Sequence, residues 1–229
     1  MQMNNAMRFE MKTDPEKPET ADIYIYDYIG NEHADSESNV STAKAFREML
    51  DGTKNIKTLN IHVNSYGGAC ADGVAIYSML KQHDSVKTAY VDGYACSIAT
   101  LIVAACDKVV MSTASAMQIH SALTCAYGNS KAMRAAADSL DKITAGIKAA
   151  YLDRSCGKLT AEKLDKLIVG EDGDGSWLTA EECIQYGLCD EIIGKSTSES
   201  ESEPTPIPEP KPENKINNNL MNTFRAFML

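Results

Sequence analysis

The chain is 229 residues long, 44% hydrophobic and 24% charged, with a formal net charge of −10. That length suits one domain of up to about 200 residues plus tails, and the acidic balance without a Lys/Arg run argues against a nucleic-acid binder. The longest weakly polar stretch, residues 95–106, is interrupted by Ser97 and Thr100 and falls short of the ~20 residues a membrane span needs, and charges from Arg8 to Glu19 leave no signal-peptide core.

In chain order, strand and helix patterns alternate. Residues 22–29 (DIYIYDYI) alternate β-branched or aromatic with polar side chains and predict a strand. Residues 42–50 predict a helix, and residues 58–63 a second strand that ends in Asn64-Ser65-Tyr66-Gly67-Gly68. Helix follows over 73–82, strand over 86–91, and a buried small-residue helix over 97–105. A fourth strand over 108–112 leads into the segment 116–119. A long helix runs from 131 to about 155, with Met133, Ala136, Leu140, Ile143, Ile147 and Tyr151 at spacings of three or four. Core packing is the expected reason for that stripe. The alternation implies crossover connections and a mostly parallel sheet, hence an α/β body.

Prolines and composition mark the ends. None of the seven prolines falls between Glu19 and Glu203, and residues 196–213 (STSESESEPTPIPEPKPE) are of low complexity. The expected organisation is an N-terminal extension over 1–21, a body over 22–194, a disordered Ser/Glu/Pro linker over 195–214 and a short apolar tail over 215–229. About −8 of the net charge lies on the body. The seven cysteines, scattered and without a CxxC pair, are expected to be small buried hydrophobes of a reducing compartment.

In open α/β sheets, chemistry gathers where strands end and helices begin. Two such turns stand out. Gly67-Gly68 offers backbone N–H groups unobstructed by a Cβ, as an oxyanion requires, although a plain strand-to-helix turn reads the same way. Ser97, in Gly93-Tyr-Ala-Cys-Ser-Ile-Ala99, sits in the first turn of an apolar helix, where a serine also serves as an ordinary cap. A nucleophilic serine needs a base. His33 and His83 lie in polar stretches and are expected to be solvated. His62 lies inside a strand with its side-chain direction open, and His120 ends an apolar segment at a strand mouth. Glycine pair, helix-start serine and strand-end histidine together point to an enzyme.

These residues fall into four ordered motifs: Asn64-Ser-Tyr-Gly-Gly68, Gly93-Tyr-Ala-Cys-Ser-Ile-Ala99, Met117-Gln-Ile-His120 and Trp177-Leu-Thr-Ala-Glu-Glu-Cys-Ile-Gln-Tyr-Gly-Leu-Cys-Asp190. With them the chain resembles the proteolytic subunit of Clp protease, within the crotonase-like fold, and especially its phage and prophage head-maturation branch. The resemblance runs from about Ile23 to Ile193. It implies repeated ββα units, a mostly parallel sheet and a long protruding helix. It also implies Ser97 as nucleophile, His120 as general base and the backbone N–H groups of Gly68 and Ile98 as the oxyanion hole.

The acid of the triad is expected in Glu171-Asp-Gly-Asp-Gly-Ser-Trp177, with Asp172 first, Glu171 second and Asp174 third. Tyr66 stands where the family usually has proline. The implied reaction is hydrolysis of peptide bonds through an acyl-enzyme, with neither metal nor nucleotide cofactor; no GxxxxGK[ST] loop is present. The implied partners are further copies of the chain in a ring or stacked rings, protein or peptide substrates including phage scaffold or capsid protein, and a separate AAA+ unfoldase for any ATP dependence. Nucleic acid and membrane are not expected, and the implied location is the bacterial host cytoplasm, at the phage procapsid. Two other readings stay open: an acyl-CoA enzyme of the crotonase type, and a catalytically inactive structural homologue.

Overall fold

The computed structural model describes residues 9–30, 41–53 and 55–194, all within the compact unit Met1–Lys195. The predicted linker over 195–214, the tail over 215–229 and His33 lie outside the described residues.

The chain opens with an antiparallel pair, β1 (Glu10–Asp14) and β2 (Lys17–Tyr26). This order inside the predicted extension was hidden by Pro15 and Pro18. The ladder tolerates both, because Pro15 lies in the turn and Pro18 falls where the register shifts after Thr13. Helix α1 (Ala43–Asp51), capped by the Thr42 hydroxyl, leads to β3 (Thr58–Ser65), α2 (Cys70–Gln82) and β4 (Val86–Cys96). Then follow α3 (Ile98–Ala104), β5 (Lys108–Ser112), β6 (Ala116–Ile119) and α4 (Ser130–Ser155). The body closes with α5 (Ala161–Val169), β7 (Ser176–Thr179), α6 (Ala180–Gln185) and β8 (Glu191–Ile193).

The eight strands form one sheet of order β1-β2-β3-β4-β5-β8, with β6 paired to the far end of β4 and β7 to β6. Five of its pairings are parallel and two antiparallel, so the sheet is mostly parallel and the fold α/β, as the alternation predicts. On β2, β3 and β4 the odd-numbered apolar residues, Ile23, Ile25, Leu59, Ile61, Val63, Ala89 and Val91, are buried. Their even-numbered neighbours occupy the other face, where His62 is stacked between Tyr24 and Tyr90 at 4.7 and 5.0 Å. The His62 Nδ1 lies 2.8 Å from Asp92, so this histidine is committed to the open face of the sheet.

Helix α3 is buried along its whole length, as expected for a small-residue helix. The stripe on α4 differs from its expected role. Ile147 and Tyr151 are buried, but Met133 and Ile143 are 38% and 40% exposed, so the helix as far as Ile143 carries apolar side chains into solvent. No helix among the described residues is long and apolar enough to cross a membrane.

His83 is half-buried and hydrogen-bonded, not freely solvated as expected. The Thr53 hydroxyl donates to the Leu50 carbonyl and so accepts from His83 Nε2 at 3.0 Å, while His83 Nδ1 accepts from the hydroxyl and N–H of Ser85. That arrangement fits the neutral ring, and burial together with the nearby Lys87 ammonium lowers its pKa from 6.5. Between that lowered value and 6.5 the unfolded chain binds a proton that the folded chain refuses, so stability falls as pH drops through this window. Thermal melts of the native chain and of His83→Asn across this range are expected to converge as pH falls, because the variant lacks the titration.

Candidate active site

Three turns meet at one end of the sheet because β3, β4 and β6 run parallel and finish there. The first is the glycine turn after β3. The Ser65 hydroxyl donates to the Asp27 carbonyl and accepts the Gly67 N–H at 3.1 Å, fixing the turn to the end of β2. Ile29 then bridges Gly68 in parallel fashion: its N–H donates to the Gly67 carbonyl at 2.8 Å and its carbonyl accepts the Ala69 N–H at 2.7 Å. In such a bridge the flanking peptides face the partner, so the N–H of Gly68 itself faces the opposite way. Gly68 has φ 151°, and a Cβ there would lie 2.0 Å from the Ile29 oxygen.

The second turn carries Ser97, at the junction of β4 and α3. Its backbone, φ 54° and ψ −129°, is one that a residue with a side chain rarely adopts and costs roughly 1–3 kcal/mol. Three contacts hold it there. The Ser97 N–H donates to the Gln118 carbonyl at 2.8 Å, and its carbonyl accepts both the N–H and the hydroxyl of Thr100 at 3.1 and 2.5 Å. Gly67 lies so close that a Cβ on it would fall 3.2 Å from the Ser97 Oγ. Upstream, the Asn64 side-chain oxygen accepts the Tyr94 N–H at 3.1 Å and fills the space beside Gly93, pinning the irregularity where β4 departs from β3. Ile98 begins α3, so its N–H lacks an acceptor within the helix.

The third turn carries His120, directly after β6, whose Gln118 pairs with Cys96. Nδ1 of His120 lies 2.6 Å from the Ser121 carbonyl. A carbonyl only accepts, so the proton sits on Nδ1, and in the neutral ring the Nε2 lone pair is free to take a proton. Ser97 and His120 are thus brought to adjacent strand ends, although no hydrogen bond joins them among the described residues. Such contacts often tighten only around substrate.

The acidic loop reaches the same place by another route. Antiparallel pairing of β7 with β6 sets Ser176 opposite Ile119, and Gly175 packs so closely that a Cβ there would lie 2.4 Å from the Cβ of His120. Glu171, Asp172 and Asp174 are all exposed, and among the described residues none is hydrogen-bonded to His120. The Ser121 carbonyl occupies the position on Nδ1 that an acid would take.

Two sets of contacts beside the site have no signal in the sequence. Tyr151 of α4 reaches the Thr100 hydroxyl at 2.5 Å, a contact between residues 51 apart that no local pattern signals. Tyr66, Tyr94 and Trp177 form a chain of rings with centroids 6.0 and 5.6 Å apart, and each is at least 40% exposed beside the site. Cys96, adjacent to Ser97, is buried, and burial pushes its thiol up to about 12. It is therefore no competing nucleophile. The other cysteines depart in part from expectation: Cys106, Cys183 and Cys189 are buried, Cys70 half-buried, and Cys125 and Cys156 exposed.

A family model described as Clp protease matches residues 23–196. The ATP-dependent Clp protease proteolytic subunit of Bacteroides fragilis is 26% identical over 170 residues, covering 73% of this chain and 78% of that protein. The ATP-dependent Clp protease proteolytic subunit 2 of Prochlorococcus marinus is 30% identical over 168 residues, covering 72% and 79%. Subunit 3 from Parasynechococcus marenigrum is 27% identical over 168 residues, covering 72% and 80%. With its mostly parallel sheet and these matches over most of the body, the chain belongs to the Clp protease family and is a serine-type peptidase.

Proposed function

We propose that this chain is an endopeptidase in which Ser97 is the nucleophile, His120 its general base, and the N–H groups of Gly68 and Ile98 the oxyanion hole. The observation that carries this reading is the strained backbone of Ser97, held at the junction of β4 and α3 beside the glycine turn and one strand end from a histidine whose Nε2 is free. His120 removes the Ser97 proton as Oγ attacks a peptide carbonyl, and the tetrahedral oxyanion settles between the two N–H groups. His120 then protonates the leaving amine, and water attacks the acyl-enzyme by the same route in reverse. The Ser121 carbonyl holds the imidazole tautomer, and Asp172 is the loop carboxylate that would take over this contact when the loop closes on substrate. The exposed Tyr66, Tyr94 and Trp177 rings offer apolar area to an unfolded peptide.

The working form is a ring, or two stacked rings, with the exposed Met133 and Ile143 of α4 supplying apolar surface between copies. A separate AAA+ unfoldase would supply any ATP dependence. The biological setting is phage or prophage head maturation in the host cytoplasm, with scaffold or capsid protein as substrate; the resemblance carried by the four motifs supports it.

Labelling with a fluorophosphonate, read by intact mass and combined with solution mass of the same sample, tests chemistry and assembly together. One adduct per chain on Ser97 is expected, lost in Ser97→Ala, in a species several chains in size. A folded native chain that stays unlabelled while peptide is hydrolysed would sink the assignment, and one that neither labels nor hydrolyses would be an inactive homologue.

A further inference from the structure

The buried hydrogen-bond chain behind Ser97 has a direction. Thr100 has one hydroxyl proton, and it goes to the Ser97 carbonyl at 2.5 Å; toward Tyr151 the Thr100 oxygen can therefore only accept, so Tyr151 donates. Tyr151 and Thr100 are each 2% exposed, so water does not compete for either bond. Burial raises the Tyr151 pKa to about 12, so the phenol keeps its proton. The order is Tyr151 O–H to Thr100 Oγ1, then Thr100 O–H to the carbonyl of Ser97.

That carbonyl belongs to the peptide unit whose other end is the N–H of Ile98. A trans peptide is planar, with C=O and N–H pointing in opposite directions. Anchoring the Ser97 oxygen inward therefore aims the Ile98 N–H outward, toward the mouth of the site. The Thr100 N–H adds a second bond to the same oxygen at 3.1 Å. Without the hydroxyl, this peptide unit would be free to rotate out of a strained conformation, and rotation swings the donor away.

We propose that Thr100 and Tyr151 are positioning residues of the peptidase, which preorganise the oxyanion hole by fixing the Ser97–Ile98 peptide plane. Neither touches substrate; both act through the direction of one N–H. The chain also ties the buried end of α4 to the nucleophile's own backbone, so a shift of that helix at Tyr151 is transmitted to the reacting centre. The proposal rests on the assignment of Ser97 and Ile98 above.

The test compares Thr100→Val, Thr100→Ser, Tyr151→Phe and the double variant Thr100→Val/Tyr151→Phe, with Ser97→Ala as reference. An oxyanion donor removed outright costs about 10²–10³ in kcat, so a misaimed one is expected to cost about 10–50-fold in Thr100→Val. KM should change less than about twofold, because the loss falls on the transition state. The rate of fluorophosphonate labelling should fall with kcat, since that adduct occupies the same hole.

Tyr151→Phe should lose about two- to fivefold, and Thr100→Ser, which keeps the hydroxyl, should return to within about threefold of the native rate. Thr100→Val strands the Tyr151 hydroxyl and could unfold for that reason alone. The double variant removes both polar groups, leaves none unsatisfied and is expected to melt near the native temperature while remaining slow. A folded double variant with native kcat and labelling rate overturns the proposal. So does a rate loss that tracks melting temperature and is not rescued by Thr100→Ser. A native enzyme that hydrolyses peptide without labelling, or a Ser97→Ala variant that remains active, would instead overturn the assignment of Ser97 and this proposal with it.

Discussion

His120→Ala is expected to lower peptide hydrolysis by roughly 10⁴–10⁶-fold while the protein folds normally, because under the proposed assignment Ser97 and His120 act as a unit. The folding half follows from position. His120 is half-exposed and, among the described residues, its side chain hydrogen-bonds to the adjacent Ser121 carbonyl, so the core does not depend on the ring. The size of the loss follows from the free Nε2, which is the group within the three turns suited to take a proton from Ser97.

The acidic loop should behave differently. A carboxylate stabilises the imidazolium better than a neutral carbonyl by roughly 1–2 kcal/mol, so Asp172→Asn should slow kcat by about 5–30-fold. Glu171→Gln and Asp174→Asn should stay within about twofold. Steady-state kinetics on the four variants, with circular dichroism as a check on folding, decides the matter. A His120→Ala enzyme with a native rate refutes the base, and equal losses across the three loop variants would reduce that loop to a generic acidic surface.

Gly68→Ala should damage both stability and rate. The added methyl would lie 2.0 Å from the Ile29 oxygen and 2.8 Å from its carbonyl carbon and nitrogen, on backbone that cannot turn aside. Ile29 is fully buried and makes both bonds of the bridge to the glycine turn, so relief means prising that bridge apart. The φ of 151° adds its own strain. A loss of roughly 3 kcal/mol or more is expected, in the upper range for single substitutions. In whatever fraction stays folded, kcat should drop at least about 10²-fold, as for loss of one oxyanion donor. Gly146→Ala is the internal control: it lies within α4 with open space around it, so the same substitution should raise stability by about 0.5–1 kcal/mol and leave the rate alone. Melting curves and labelling rates measure both. A stable Gly68→Ala enzyme at native rate would remove that N–H from the mechanism.

The parts of this molecule that sequence reveals are those governed by short spacings. Strand alternation on β2 and β3, the small-residue helix α3 and the glycine turn are each encoded within a dozen residues, and their positions follow. The strand β1 was obscured because two prolines usually argue against a ladder, and only the register shift shows how they fit. The exposure of Met133 and Ile143 was not legible either: a helical stripe states which residues share a face, not whether the body reaches far enough to cover it. His83 illustrates the same limit, since its partner Thr53 is 30 residues away and on another connection. In the site, Ser97 and His120 came from motifs and strand ends. The contact on Nδ1 and the Tyr151–Thr100 pair arise from tertiary packing and could be found only in three dimensions.

Oxidants would find little to attack at the centre of this protein. Peroxide reacts with thiolate, and the thiol next to Ser97 stays protonated, while a serine hydroxyl is not oxidised at all. The cysteines exposed to such reagents are Cys125 and Cys156. A sulfenic acid is therefore expected first at these surface thiols, and not at the buried thiol next to Ser97.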